Sequence, residues 1–390
     1  MEPTIEHQQQ GIALYIHWPF CLAKCPYCDF NSHVAQQIPQ EAYANALVQE
    51  LITSLTDIPK KPLTSIFFGG GTPSLMLPST VQTLIDTATS LLPVSNDIEI
   101  TLEANPTSVE NQKLKDFQKA GVNRVSLGIQ SLNPTALKAL GREHSVAGAI
   151  EALSLAKKIF SRISFDLIYA REGQSVYEWE NELKEALSLA NDHLSLYQLT
   201  IEPGTLFAKQ YQQGKITLPN EEISTTLLNM TETITGQYGL QAYEVSNYAK
   251  IGAQSRHNLT YWRYQDYIGI GPGAHGRVTI DQTLYATERH KNPQKWLKSV
   301  QENGHALCVK EALTSKDKAQ EMLLMGLRLT EGVQAEAFAQ RCGVDLMDAI
   351  NQSMLTALLE ENYLSWDNNY LKTTPQGRLR LNAILDVLLQ

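Results

Sequence analysis

The sequence lacks the features that mark a membrane-embedded or nucleic-acid-binding protein. No apolar stretch approaches the roughly 20 residues that cross a bilayer. The polar opening, MEPTIEHQQQG, has neither the basic start nor the apolar centre of a secretion signal. Lys and Arg form no continuous run, and the formal net charge is −9. We therefore expect a cytoplasmic protein without a transmembrane segment or a nucleic-acid partner, and peripheral membrane contact stays open.

Cysteine is also scarce, with five residues in 390. An odd number of cysteines in a reducing compartment argues against a disulfide framework. Three of the five, Cys21, Cys25 and Cys28, fall within the single segment CLAKCPYC, which indicates metal binding. Cys308 and Cys342 lie far from that segment, and we expect both to pack as ordinary small apolar residues.

The length and composition are those of an ordered protein with more than one core. Hydrophobic residues make up 43% of the chain and charged residues 19%, which excludes a disordered chain. A chain of 390 residues favours two or three domains, or a barrel with an appendage. We place the boundaries at 1–215, 216–305 and 306–390.

The first part of the chain alternates short apolar runs with longer helical patterns, which predicts an α/β fold with parallel strands. The predicted strands are Ile12–Trp18, Ser65–Phe68, Ile98–Glu103, Arg124–Leu127, Ser164–Ile168 and His193–Thr200, and the predicted helices are 40–57, 78–92, 108–120, 146–159 and 175–190. Six βα units predict a partial barrel, in which ligands gather where the strands end. CLAKCPYC, GGGTPS, EANP and GIQS follow the first four strands in turn.

The remaining sequence predicts two further regions. Between 203 and 305, the aromatic-rich segments EVSNYA, HNLTYW and DYIGIGPGAHG indicate irregular strands and loops. From about 314 the pattern is helical, with a strand pair near Tyr363–Lys372 and a last helix from Thr374. Helices followed by a hairpin are typical of a winged helix. Because its recognition helix carries no basic residues, we interpret it as a packing or partner-docking module.

The cysteine segment allows two metal sites. Three thiolates can ligate three irons of a [4Fe–4S] cubane and leave the fourth iron open. The alternative is tetrahedral zinc completed by His17 or His33. Inert thiols fit less well, because a polar loop with a proline is not where free cysteines pack.

The motifs together resemble the radical SAM superfamily. CxxxCxxC followed by GGGTP within repeated βα units carries this resemblance over most of the chain. LYIHWPFCLAKCPYCDFNSH, FFGGGTPS, LEANP, GVNRVSLGIQS and LGREH are similar to its coproporphyrinogen-oxidase-like group, and CPYCDFNSH and HNLTYW most resemble the HemW-type heme chaperones. The resemblance implies a radical SAM barrel, a [4Fe–4S] cluster on the three cysteines, and S-adenosylmethionine that the cluster cleaves to a 5′-deoxyadenosyl radical.

The glycine turn and two carboxylates are candidates for binding S-adenosylmethionine. As a pattern, GGGTP permits either ligand contact or a simple tight turn. The resemblance assigns Gly70, Gly71 and Thr72 to the methionyl amino group. Glu103 could accept hydrogen bonds from an amine or ribose, although a charge at a helix start is the alternative. Asp166 stands in an apolar strand, where a carboxylate is costly unless paired, and this suits a ribose acceptor.

The resemblance gives S-adenosylmethionine four more partners. It implies ligand roles for Gln130 and Arg142, and Arg142 could pair with the substrate carboxylate. It also places Tyr15 and Tyr27 beside the cluster and the adenine, whereas each tyrosine alone would suggest core packing.

One segment departs from the family pattern. Where the family usually has DLIYGLPGQ, this chain has DLIYAREGQ, so that Ala170, Arg171 and Glu172 replace Gly-Leu-Pro. We expect the strand to persist and the loop beside the ligand to differ.

Two functions are compatible with the resemblance. A heme chaperone binds heme and transfers it to apo-hemoproteins, whereas an oxygen-independent coproporphyrinogen III oxidase decarboxylates propionate side chains. The oxidases carry a further cysteine where this chain has Phe30, so oxidase activity is not expected. HNLTYW matches the chaperones' HNxxYW motif. It predicts His257 as an axial heme ligand, although a lone histidine is more often structural, and His275 in GPGAHG is a weaker candidate near the cofactor.

Overall fold

A computed structural model describes residues 11–56 and 58–389. The strands are β1 Ile12–Trp18, β2 Phe20–Cys21, β3 His33–Val34, β4 Leu63–Gly70, β5 Val94–Ala104, β6 Arg124–Gln130, β7 Arg162–Tyr169, β8 His193–Gln198, β9 Gln241–Ala242, β10 Asn247–Ala249, β11 Tyr267–Ile270, β12 His275–Ile280, β13 Thr283–Arg289, β14 Leu307–Ala312, β15 Val333–Gln334, β16 Leu364–Asp367 and β17 Tyr370–Thr373. The opening segment MEPTIEHQQQ, for which no secretion signal was predicted, lies outside the described residues, as does residue 57 of the first predicted helix.

The helices cover most of the remaining chain. They are α1 Gln40–Thr56, α2 Pro78–Leu91, α3 Ser108–Lys119, α4 Pro134–Ala139, α5 Val146–Ile159, α6 Val176–Leu189, α7 Leu206–Gln212, α8 Glu221–Gln237, α9 Arg256–Trp262, α10 Pro293–Asn303, α11 Ser315–Gly326, α12 Ala335–Cys342, α13 Gln352–Glu360, α14 Pro375–Arg378 and α15 Leu381–Leu388, with a short 3-10 turn at Pro73–Leu75.

The predicted α/β architecture of six βα units is confirmed. Strands β1, β4, β5, β6, β7 and β8 are parallel neighbours in that order, and helices connect each to the next. Beyond β1 the sheet continues with β11, also parallel, and then with β12, β13 and β14. Antiparallel β10 and β9 extend the other side beyond β8. We call the edge where the parallel strands begin the lower edge and the edge where they end the upper edge.

The two faces of the parallel strands differ in chemistry. Alternate residues such as Ile66, Phe68 and Phe165 join the apolar core that the helices cover. Most of the residues between them are polar and interact with one another across the inner face, although Phe67 is an apolar member of it. These inner side chains include Tyr15, Ser65, Glu103, Ser126, Asp166 and Ser195. Parallel strands buried on both faces are usually apolar throughout, so the polar inner face indicates a binding chamber.

The prediction of irregular strands and loops between 203 and 305 was wrong in part. α8 runs for 17 residues in this region, and HNLTYW lies in α9 rather than in a strand or loop. Both helices begin with a capped first turn, because the side chain of Asn220 accepts a hydrogen bond from Ile223 N and that of Ser255 from Asn258 N.

Helix α9 packs across the lower edge of the sheet. The Glu99 carboxylate accepts hydrogen bonds from Ser255 Oγ and His257 N, both at 3.2 Å. Arg162 Nη1 lies 2.6 Å from the same carboxylate, and the Arg124 Nε lies 4.0 Å from it. A buried ion network therefore fastens the start of α9 to β5, β6 and β7.

The C-terminal part has a core of its own. Leu323, Phe338, Leu355, Leu371 and Leu385 are buried together there. The order of helices, strand pair and last helix agrees with the predicted winged-helix pattern, and β15 adds a third strand beside β17. The proposed boundaries at 215 and 305 stay predictions. Both fall within the part of the chain that contributes strands to one twelve-stranded sheet, which contains β1 and β4 to β14.

Two further observations concern cysteine and the membrane. Cys342 is buried, as predicted, but Cys308 is exposed on β14, so the expectation that it packs as an apolar residue was wrong. β14 pairs only along β13 within the sheet order, which leaves its side chains at the margin of the sheet. Within residues 11–56 and 58–389, no helix combines the length and apolar character that crossing a membrane requires.

Candidate metal and cofactor centre

The three clustered cysteines lie on one loop at the upper edge of the sheet. Cys21 ends β2, which pairs with β3 through Phe20 opposite His33. The loop is closed at its base because Ala35 N donates to the Cys21 carbonyl oxygen at 3.0 Å. Within the loop, Cys28 N donates to the Cys25 carbonyl oxygen at 3.1 Å. The backbone thus holds the three thiols on one short, closed segment.

Each thiol has its own hydrogen-bonding neighbour from a different part of the chain. Thr72 Oγ1 donates to Cys21 Sγ at 3.4 Å, and Arg142 Nη1 donates to Cys25 Sγ at 3.3 Å. The Ser32 hydroxyl lies 3.7 Å from Cys28 Sγ.

Donors of this kind stabilise negative charge on sulfur and tune iron–sulfur clusters. Burial raises the pKa of the Cys21 thiol, and the Thr72 hydroxyl opposes that shift. In a cubane each cysteine binds a different iron, so the donor set fits such a cluster. Among the described residues, no three His, Cys, Asp or Glu side chains form a group that could hold a single metal ion.

The glycine turn after β4 packs directly against the first strand. Gly70 has φ 112°, and a Cβ there would lie 2.6 Å from the His17 ring, so only glycine suits this position. Gly71 N donates to the Trp18 carbonyl oxygen at 2.7 Å, and Thr72 N to the Phe20 carbonyl oxygen at 2.8 Å. Because an ammonium group donates hydrogen bonds, the predicted methionyl contact would have to use carbonyl or hydroxyl oxygens of this turn.

The two candidate carboxylates face each other inside the chamber. Burial and the neighbouring Asp166 raise the pKa of Glu103 to about 8, although Gly70 N–H donates to its carboxylate. Burial also raises the pKa of Asp166 to about 6, which hydrogen bonds from Ser195 and Ser126 partly offset. Two neighbouring buried acids with raised pKa values are suited to a ligand with cationic or hydroxyl groups.

Arg142 lies beside the cysteine loop. Besides Cys25, its guanidinium donates to Asn105 Oδ1 at 2.5 Å and to the Gly128 carbonyl oxygen at 2.7 Å. Gly141, one residue earlier, has φ 66°, and a Cβ there would lie 2.7 Å from Pro26 Cδ. The LGREH segment is therefore fitted against the cysteine loop. The pairing of Arg142 with a substrate carboxylate stays a prediction.

Of the other predicted ligand residues, Tyr15 lines the chamber, whereas Tyr27 and Gln130 lie outside its lining. Tyr15 OH lies 3.0 Å from His17 Nδ1, and His17 Nε2 donates to the Asn31 carbonyl oxygen at 2.9 Å. Tyr27 packs near Phe207, with 6.3 Å between ring centroids. Gln130 has φ 71°, an unfavourable conformation for a side chain of its type, at the upper end of β6.

The departure from the family pattern has a local explanation. Ala170 has φ 55°, the left-handed conformation that glycine adopts without strain, which accounts for the glycine of the family pattern. Arg171 is buried and pairs with Glu182, with 2.5 Å between Nη2 and Oε2. Glu182 also accepts hydrogen bonds from Ser131 Oγ at 2.5 Å and Leu132 N at 2.7 Å. This pair therefore fixes the turn that follows Gln130.

The third replaced residue also has a partner. The Glu172 carboxylate accepts hydrogen bonds from Thr217 N at 2.8 Å and from Thr217 Oγ1 at 3.2 Å. Glu172 thereby ties the loop after β7 to the segment that leads into α8.

His257 lies at the floor of the chamber. Its side chain is buried, its Nδ1 lies 2.9 Å from Ser65 Oγ, and its Nε2 lies 2.8 Å from Tyr261 OH. Its ring stacks on Phe67 with 4.8 Å between centroids, and burial lowers its pKa to about 3. Both ring nitrogens therefore have hydrogen-bond partners, and heme ligation by His257 would require at least one of these bonds to break.

The chamber opens into a cavity of about 710 Å³. Tyr15, Gly70, Glu103 and Tyr261 line its inner part, and the more exposed Phe30, His275 and Lys291 also line it. This volume falls within the range of about 300–1,000 Å³ that is typical of cofactor sites.

Sequence reasoning assigned no role to Asn31, Arg171 or Glu182, which position the loops of this centre. Asn31 and Glu182 carry no signal in the sequence, and Arg171 was noted only as a departure from the family pattern. The polar residues at every second position of apolar strands, such as Ser164 and Asp166 in β7, were the available sign of a chamber.

Comparison of the sequence with known proteins identifies two matching families and several relatives. The radical SAM superfamily matches residues 15–186, and the HemN C-terminal domain matches residues 313–380. Heme chaperone HemW of Escherichia coli (strain K12) is 38% identical over 381 residues, which cover 97% of this chain and 98% of that protein. "Radical S-adenosyl methionine domain-containing protein 1, mitochondrial" of Danio rerio is 39% identical over 386 residues, which cover 97% of this chain and 86% of that protein.

A solved structure has the same fold. It is described as "Coproporphyrinogen III oxidase (HemN) from Escherichia coli is a Radical SAM enzyme", and it superposes with a TM-score of 0.80 at 24% identity over 97% of this chain and 90% of that one. At this identity the likeness shows the shared fold.

Proposed function

We propose that this chain, which belongs to the radical SAM superfamily, is a heme chaperone that binds heme and transfers it to apo-hemoproteins. The observation that carries this proposal is its similarity, over nearly the full length of both chains, to a protein named heme chaperone HemW. The cavity beside the cysteine loop supports it, because its volume and mixed polar and aromatic lining suit a large cofactor. A cytoplasmic location stays a prediction.

Family membership implies a [4Fe–4S] cluster and S-adenosylmethionine. We assign the cluster to Cys21, Cys25 and Cys28, whose donors Thr72 and Arg142 would stabilise the thiolates. When bound, the cluster supplies the electron that cleaves a carbon–sulfur bond of S-adenosylmethionine.

The protein's own residues would bind and orient S-adenosylmethionine. Glu103 and Asp166 lie within the chamber, where the raised pKa of each keeps protons available until a ligand arrives. A cationic ligand favours the ionised carboxylate, so we expect binding near neutral pH to release a proton from Glu103. Gly70, Gly71 and Thr72 would orient the methionyl end. Further contacts would come from Gln130, Arg142, Tyr15 and Tyr27.

The cluster assignment is tested by replacing each thiol. We expect Cys21→Ala, Cys25→Ala and Cys28→Ala to lose iron and acid-labile sulfide in anaerobically prepared protein, because the loop offers no spare thiolate. Cys308→Ala is the matched control, since Cys308 is exposed on β14. A full cluster in any of the three variants would contradict the assignment, and zinc without sulfide would indicate the alternative metal site.

The chaperone function is tested with two substrates in parallel. Anaerobic protein is titrated with hemin, followed by the Soret band, and then mixed with an apo-hemoprotein to detect transfer. The same preparation is given coproporphyrinogen III, S-adenosylmethionine and a reductant. We expect hemin binding and transfer without turnover. Turnover without hemin affinity would instead favour the coproporphyrinogen III oxidase.

Heme ligation by His257, the predicted axial ligand, would have a structural cost. Ligation would require the imidazole to release Ser65 or Tyr261 and to leave its stack on Phe67. This cost leads to a different candidate.

A further inference from the structure

We propose that His275, at the mouth of the cavity, is the axial ligand of the heme iron. This inference rests on the proposed heme-binding function and names the side chain that would carry it.

His275 has an accessible imidazole. It begins β12, and its side chain is 45% exposed. Glu288 Oε1 lies 3.6 Å from its Nδ1, so a slight adjustment would let Nδ1–H donate to this carboxylate. A carboxylate on one ring nitrogen fixes the tautomer that presents the other nitrogen to a metal. Among the described residues, no hydrogen bond to the Nε2 of His275 is found. Both ring nitrogens of His257, by contrast, have hydrogen-bond partners, and its side chain is buried with 1% exposure.

The residues beside His275 match the rest of a heme molecule. A tetrapyrrole has an apolar plane and anionic propionates at one edge. Phe30 is 61% exposed, so a large aromatic side chain presents an apolar surface to solvent. Lys291, also exposed, provides an ammonium group for a propionate. Phe30, His275 and Lys291 all line the same cavity.

The backbone segments that carry these groups are joined to one another by hydrogen bonds. Asn31 Nδ2 donates to the Pro272 carbonyl oxygen at 2.8 Å and to the Lys291 carbonyl oxygen at 2.9 Å. Asn31 belongs to the cysteine loop, Pro272 lies just before His275, and Lys291 follows β13. One side chain therefore joins the cluster loop to both segments that would contact heme, so His275 stands at a fixed position on the cavity mouth.

The test compares two histidine variants, one lysine variant and one control by hemin titration of the full-length, cluster-loaded protein. We expect His275→Ala to weaken hemin binding about tenfold or more and to shift the Soret band, because a metal ligand is lost. Added imidazole should restore the spectrum. Lys291→Gln should weaken binding by a smaller factor and leave the Soret position unchanged, since it removes only a propionate contact.

His290→Ala is the matched control, because His290 is a nearby histidine that does not line the cavity, and it should bind hemin like the wild type. Wild-type affinity and spectra for His275→Ala would overturn the inference while leaving the chaperone proposal intact. The inference would also be overturned if His257→Ala, with unchanged circular dichroism, lost the axial ligand signature that His275→Ala kept. If the wild type itself bound no hemin, the proposed function would fail and this inference with it.

Discussion

Glu99 and Glu103 stand on the same strand and the same face of β5, yet their surroundings have opposite effects. At the lower edge, burial of Glu99 opposes ionisation, but the charges of Arg124 and Arg162 outweigh it and lower its pKa. At the upper edge, burial and Asp166 raise the pKa of Glu103 to about 8. At the lower edge Glu99 has two arginine partners, whereas Glu103 has a second acid as its neighbour and only a backbone N–H as a hydrogen-bond donor.

The difference separates support from function. A buried charge that lacks a partner destabilises the folded state unless a ligand supplies the partner. Charges at the lower edge are paired with one another and fasten α9. The raised pKa values of the acids at the upper edge fit the proposal that this chamber receives a ligand with positive and hydroxyl groups.

Breaking the lower network should have the largest effect on stability. Glu99→Gln leaves Arg124 and Arg162 without their shared carboxylate, and we expect a loss of about 3–5 kcal/mol in the free energy of unfolding. Urea unfolding followed by circular dichroism measures it. The control is Glu103→Gln on the same strand, which should not destabilise the ligand-free protein. Equal losses in the two variants would contradict the distinction between the edges.

Arg171→Leu tests whether pairing, rather than position on the sheet, decides the outcome. Glu182 lies near the upper edge but is paired with Arg171, and the substitution leaves the carboxylate with only its neutral donors. We expect a loss of about 2–4 kcal/mol in the free energy of unfolding. A loss below about 0.5 kcal/mol, the size typical of a surface substitution, would show that the pair is not needed.

The pH dependence of the ligand-free protein should also distinguish the two glutamates. The pKa of Glu103 is higher in the folded state than the value of about 4.3 in an unfolded chain, so the folded state binds the proton more tightly. Its contribution to stability is therefore present at low pH and is lost as pH rises toward about 8. Glu99 has a lowered pKa, so its contribution is present above the ordinary pKa and is lost in acid.

Glu103→Gln should remove the decline at high pH. Because Glu103 lines an open cavity, where solvent screens its charge, we expect the variant to gain only about 1–2 kcal/mol over the wild type at pH 9 and much less at pH 5. Thermal unfolding across this range measures the gain. A gain that is independent of pH would contradict the assignment to Glu103.

Ala170→Gly should have the smallest effect and the opposite sign. Ala170 adopts φ 55°, and glycine removes the strain of this conformation at the expense of a more flexible unfolded chain. We expect a net gain of about 0.5–1 kcal/mol in the free energy of unfolding, measured by thermal or urea unfolding. Ala357→Gly, at an exposed position of α13, is the control and should lose about 1 kcal/mol. A loss at both positions would contradict the strain at Ala170.

Most of the parallel sheet could be predicted because its strands and crossover helices repeat a regular pattern. Ile12–Trp18 agrees with the predicted bounds at both ends, since an apolar run between polar segments defines it. α8 was not predicted. Its Thr-rich sequence, ISTTLLNMTETITG, has low helix propensity, so capping by Asn220 and packing against α6 decide its conformation.

The candidate site was predictable only where chemistry is local. Spacing alone singles out Cys21, Cys25 and Cys28. The surroundings of His257 depend on Ser65 and Glu99, which are distant in sequence, so no local pattern could show that its nitrogens are occupied. The partner of Arg171 likewise becomes visible only when β7 and α6 are placed together.

The position of α9 has a kinetic consequence. This helix covers the lower edge, so a small molecule beside Glu103 and a tetrapyrrole at His275 would occupy inner and outer parts of the same cavity. Hemin bound at the mouth of the cavity should then slow the dissociation of S-adenosylmethionine without contacting it. Hemin binding and the retention of S-adenosylmethionine would thereby be coupled in time.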